Sequence, residues 1–286
     1  MNSKNNTVNT AVIARPTAVD RREPGPSFSV ASPHLPSISV RIRSELQQDR
    51  SAYGLFIALA ILSIWGLSLG FLLTRNLAHF SPLWLLIAIP WQTFLYTGLF
   101  ITAHDAMHGA VYPQNPRLNH GIGTLAVLLY GLFSYRDLLA KHSLHHRYPA
   151  SEMDPDFHDG QHCNLLAWYF NFMKNYWSWS RLLGLILLFH SVHFLFQIPD
   201  ANLTLFWVIP SLLSSVQLFL FGTFLTHREP GTGYRNAHRA ESSGMPVWLS
   251  FLTCYHFGYH REHHEYPYLA WWQLPTVYQP DSPQPP

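Results

Sequence analysis

The stretch HREHHEYP at residues 260–267 places His260, His263 and His264 within one helical turn and a half of chain. HSLHH at 142–146 repeats that spacing with His142, His145 and His146, and HDAMH at 104–108 carries His104 and His108. Residues three and four apart share a face of a helix, so each cluster is expected to aim its rings at one point. Neutral imidazole is the commonest protein metal ligand. With His227, which closes a long apolar run, the clusters offer nine candidate ligands. A tetrahedral zinc takes four at most, so nine point to two metals. A nitrogen-rich set with open positions suits iron and oxygen chemistry, although zinc, copper and nickel also take imidazole. Acid is expected to release the metal, because a protonated ring cannot ligate. The two cysteines, Cys163 and Cys254, lie too far apart in sequence to read as a CxxC site or a disulfide framework.

Ligating histidines need partners for the second ring nitrogen. Asp137, Glu262 and Glu265 lie in or beside the clusters, and Asp105, Asp154 and Asp156 are the preferred acceptors. His256 stands four residues before His260 and, on a continuous helix, would share its face. It is read either as a further ligand, as a supporting donor or as an interior histidine with a local partner. His190 and His193 fall in an apolar run, where a structural hydrogen bond is the expected role.

The elements that must position these residues are membrane helices. Charged residues make up 12% of the chain, about half the roughly 25% of soluble domains. Residues 53–73, 82–103, 182–199 and 203–226 form four apolar runs, each long enough to cross about 30 Å of hydrocarbon as a helix. Residues 74–81 and 200–202 are the short turns of two hairpins. The runs 121–134 and 247–258 are shorter and are expected to be interfacial or re-entrant. Of the Lys and Arg residues beyond the N-terminal tail, only Arg75 falls in an outer turn, which places both termini and every histidine cluster in the cytosol. The fold expected is therefore all-α and integral to the membrane, with four transmembrane helices in two hairpins and a cytosolic histidine-rich cap. Residues 1–45 read as a disordered polar tail without a secretory signal, 46–275 as the membrane domain, and 276–286 as a Pro-rich tail. No basic run points to nucleic acid.

Three histidine boxes of this type after two hairpins resemble the membrane fatty acid desaturase and hydroxylase superfamily. The surroundings HDAMHG at 104–109, HHRYPASEMDPDFH at 145–158, FGTFLTHR at 221–228 and HREHHEYP at 260–267, followed by WWQLP at 271–275, look like bacterial-type β-carotene ketolases. The resemblance implies a non-haem diiron centre held by the box histidines and His227, with O2 as co-substrate. It implies a carotenoid substrate drawn from the bilayer lipid, whose β-ring C4 methylene is oxidised to a ketone in two hydroxylations. It also implies an external reductant, a ferredoxin-like partner, since no flavin or nicotinamide motif is evident. Thr226 and Ala270 stand where that pattern would have proline. A carotenoid hydroxylase or an acyl-lipid desaturase would share the boxes. A metal transporter would instead place ligands near the midplane of broken spans.

Overall fold

The computed structural model describes residues 39–79 and 81–278, with side chains from residue 52 onward. Most of the two tails lies outside the described residues, although helix α1 (Ser39–Leu73) begins inside the first of them. Helix α1 and α2 (Pro82–Met107) form one hairpin. Helix α3 (Pro116–Gly131), α4 (Tyr135–Arg147) and α5 (Leu165–Asn175) follow. A second hairpin pairs α6 (Trp179–Phe196) with α7, a helical run over Asp200–His227. Two short helices, α8 (Val247–Cys254) and α9 (His260–Glu265), and a 3-10 turn at Trp271–Thr276 complete the described chain. Among the described residues there is no β-strand, only an isolated bridge between Ser242 and Tyr259. Four helices, in α1, α2, α6 and α7, are long and apolar enough to cross a membrane.

The hairpins match expectation with shifted ends. The third span begins at Trp179 because Ser178 accepts a hydrogen bond from the Arg181 N–H as its N-cap. It stops at Phe196 because Gln197 turns left-handed, with φ 52°. The turn between these two spans is therefore 197–199, and Asp200 already belongs to α7. The apolar run 121–134 is split. Leu132, at φ 55°, ends α3, and Ser134 caps α4, so the two helices meet at 100°.

Helix α2 is the central element, packed on both α3 and α7, and most of its residues from Gln92 to Ala106 are buried. Its polar side chains bond across helices: Thr97 Oγ1 lies 2.9 Å from Ser214 Oγ and donates to Gln217 Oε1 at 2.7 Å. Helix α6, by contrast, buries none of its residues in the fold. Helix α7 contains two π turns, Thr204–Val208 and Leu220–Phe224. Such turns interrupt the α-ladder and re-aim the residues beyond them; the second directly precedes Leu225–His227, whose histidine is buried.

Asn202 ties the hairpins together. Its side-chain amide donates to the carbonyls of Leu72, Leu73 and Arg75 at 3.3, 3.2 and 2.8 Å, capping the end of α1 from the second hairpin. Asn202→Ala orphans those acceptors at a cost of about 1–3 kcal/mol. A lowered unfolding midpoint in detergent is the expected result; an unchanged midpoint contradicts the capping role.

Candidate metal centre

All nine predicted histidines come together, but not as three separate clusters. His104, His108, His142, His146 and His263 form one group, and His145, His227, His260 and His264 form another. Within each group one ring nitrogen per residue lies within 4.8 Å of the others. The groups touch: the His146 and His264 rings stack with centroids 4.2 Å apart.

Helix geometry explains the partition and corrects the expectation that each cluster aims at a single point. A residue advances about 100° around a helix, so in HxxHH the first and last histidines are about 40° apart while the middle one points away from them. On α4 the pair His142 and His146 joins the five-membered group and His145 joins the other. On α9 the assignment is reversed: His260 and His264 join the four-membered group and His263 crosses to the first. Helix α2 adds His104 and His108 to one side, and the end of α7 adds His227 to the other.

Ring nitrogens face one another at short range. His108 Nε2 is 2.6 Å from His142 Nε2, His146 Nε2 is 2.9 Å from His263 Nε2, and His145 Nε2 is 3.1 Å from His264 Nε2. His104 Nε2, His227 Nε2 and both His260 nitrogens are buried without a hydrogen-bond partner. Unsatisfied buried polar atoms are costly, and a cation at the centre of each group would engage one nitrogen of each of these rings. The residues therefore fit a metal in each group.

The supporting contacts fix ring orientation. His145 Nδ1–H donates to Asp154, whose oxygens both lie at 3.0 Å. Asp154 also accepts from the N–H groups of Ala150 and Asp156, each at 2.9 Å. Asp156 stands 3.7 Å from the same His145 nitrogen and accepts a short hydrogen bond from Tyr176 Oη. His227 Nδ1–H donates to the Arg239 carbonyl at 2.8 Å, which leaves Nε2 facing the group. Asp105 sits beside His104, with 3.7 Å from Oδ1 to Nδ1, and its closer contact is the Trp271 N–H at 3.0 Å. Glu262 is buried and bonded by Ser242 and Arg261.

His256 falls outside both groups. Tyr255 and His256 are left-handed, at φ 49° and 60°, so α8 and α9 are not one helix and the four-residue spacing carries no shared face. Its ring stacks on Tyr259 and lies near Phe251 and Trp271. His193 has the local role expected of it, bonded to the Ile198 carbonyl at 2.8 Å. Tyr176 and the Arg239 carbonyl were not foreseen; neither has a sequence signal, because both reach the site through chain reversals.

Burial, and after it the neighbouring imidazoles, hold His260, His263 and His264 below the ordinary histidine value, and His108 is pushed down to about 4. Burial also acts downward on His145, but the Asp154 carboxylate outweighs it and the ring stands above its ordinary value. For the depressed rings the unfolded chain binds protons first as pH falls. Their stabilising contribution is thus present above 6.5 and lost as pH falls towards about 4. The metal-free protein is expected to show a falling unfolding midpoint across that window; a flat profile contradicts it.

A cavity of about 180 Å³ reaches both groups, touching His104 and His142 of one and His145 and His260 of the other. Phe100, Tyr130, Phe133 and Phe257 give it aromatic walls, and Leu185, Ser211 and Leu212 extend it between α6 and α7.

The fatty acid desaturase family model matches residues 81–187 and 164–286. The chain belongs to the fatty acid desaturase family. Within it, the chain is 41% identical over 220 residues to a "Beta-carotene ketolase" of Paracoccus sp. strain PC1, covering 76% of this chain and 89% of that one. A "Beta-carotene ketolase" of Paracoccus sp. strain N81106 is 43% identical over 187 residues, 65% of this chain and 75% of the relative. A "Zeaxanthin 4-ketolase" of Chlamydomonas reinhardtii is 43% identical over 190 residues, 65% of this chain and 42% of that protein. As a desaturase-family protein with four apolar helices, the chain is an integral membrane protein.

Proposed function

We propose that this protein is an O2-dependent β-carotene ketolase, converting β-ring C4 methylenes to ketones with two non-haem irons held by the nine histidines. The observation that carries the reading is the aromatic-walled cavity whose inner end is formed by members of both histidine groups. Two irons held there would supply the activation of O2 needed to hydroxylate a ring methylene, whose C–H bonds lie beside the ring double bond. His104, His108, His142, His146 and His263 would hold one, and His145, His227, His260 and His264 the other.

The chain's own residues do the rest. Asp154 fixes the His145 ring through Nδ1, and the Arg239 carbonyl fixes His227. The aromatic wall excludes water and seats a hydrocarbon ring. The cavity is small against a whole carotenoid, so it receives a ring end while the polyene extends between α6 and α7 into lipid. In each round one O2, two electrons and two protons convert C–H to C–OH and release one water. The second round on the same carbon gives a geminal diol, which loses water to leave the ketone. Electrons come from a ferredoxin-like donor, and the distribution of basic residues flanking the spans supports a cytosolic site with cytosolic termini.

The two-round scheme makes the second step as dependent on O2 as the first. Membranes supplied with the C4 alcohol and reductant should form ketone in air and none under argon. Ketone formed without O2 would mean a dehydrogenation and would overturn the scheme.

A further inference from the structure

Phe257 stands where the two histidine groups meet, yet it has no chemistry of its own. Its ring lies 4.8 Å from that of His104 and 6.1 Å from that of His263 on one side, and 5.1 Å from that of His260 on the other. It is buried and lines the cavity beside His104 and His260. Two independent features hold it there. The chain reaches it through Tyr255 and His256, consecutive residues in the left-handed region that side-chain-bearing residues rarely adopt. Its ring then seats on Gly222, in the π turn of α7: a Cβ at that position would fall 2.2 Å from Phe257 Cε1 and 2.4 Å from Cδ1. Only a glycine leaves the ring its seat.

We propose that Phe257 sets which ring carbon is oxidised, as the stop against which the carotenoid's terminal ring rests. The inference rests on the C4 reading above and deepens it. A hydrocarbon ring offers no hydrogen bond, so beyond the weaker allylic C–H bonds at C4 only shape can choose between adjacent methylenes. These are one C–C bond apart, and misplacement of that order is enough to redirect a reaction. Phe257 is a positioning residue: it neither ligates nor transfers a proton.

The test compares Phe257→Ala, Phe257→Leu, Gly222→Ala and the Gly222→Ala/Phe257→Ala double variant in a bacterium that makes β-carotene. Products are resolved by position of oxygenation, and iron is measured on the purified chains. The expected result is wild-type iron content with the C4 share of oxygenated product down about tenfold or more, the neighbouring carbon being hydroxylated instead. Gly222→Ala should reproduce that shift, and the double variant should be no worse than Phe257→Ala, since the added Cβ then meets no ring. Iron-loaded Phe257→Leu with the wild-type product position overturns the proposal. So does loss of iron from both Phe257 variants, which would make the residue a support for the ligands. If the wild type itself forms no C4 ketone, the functional reading fails first; if it does and the variants do so unchanged, only the role of Phe257 fails.

Discussion

His263→Ala is expected to abolish ketone formation and to lower bound iron from about two to about one per chain. His263 is the single contribution of α9 to the five-membered group. Its Nε2 stands 2.9 Å from that of His146, and its ring lies 4.5 Å from that of His104 and 4.8 Å from that of His108. Four histidines remain after its removal, but they come only from α2 and α4, so the group loses its link to the last helix. The control is His256→Asn, a few residues away. Asparagine tolerates the left-handed backbone there, and the ring it replaces touches Phe251, Tyr259 and Trp271 rather than any box histidine. It should keep its iron. Iron analysis and product formation on both variants decide the matter, and a fully active, iron-replete His263→Ala would remove the residue from the metal centre.

Asp154→Ala is expected to cost 10–100-fold in iron affinity or activity, the range for a group that orients a metal-ligating histidine. The carboxylate accepts three hydrogen bonds, from His145 Nδ1 and from the N–H groups of Ala150 and Asp156. Alanine leaves both backbone donors and the ring unpaired in a buried place. Asp154→Asn keeps one acceptor oxygen and should fall between wild type and alanine. Iron titration of the purified variants gives the ordering. Equal affinity in all three would mean that His145 is held by packing alone, without this carboxylate.

Much of this architecture is legible in the sequence because membrane helices and histidine boxes both carry strong local patterns. Long uncharged runs announce the spans, and HxxHH at 142–146 and 260–264 announces candidate ligands on helices. His227 is legible from its place at the end of an apolar run, although the π turn that precedes it has no local signal. What the spacing hides is the partition. Three histidines on nominally one face still diverge by about 100° between neighbours, and two helices use that divergence in opposite senses to serve both groups. For His256 the shared face with His260 fails for a related reason: the i, i+4 rule presumes a helix, and two left-handed residues break it. Tyr176 and the Arg239 carbonyl reach Asp156 and His227 by folding of the intervening chain, which no local pattern encodes. Gly222 looks like any glycine of an apolar span until the ring it accommodates is placed against it.

The most direct measurement is the mass and chromatographic identity of the pigments made when this chain is expressed in a bacterium that accumulates β-carotene, with iron and reductant supplied. The account predicts a gain of one oxygen with loss of two hydrogens for each modified ring, absent when His263→Ala replaces the wild type. A gain of oxygen without loss of hydrogen, or unchanged β-carotene in the presence of iron-loaded wild-type protein, would contradict it.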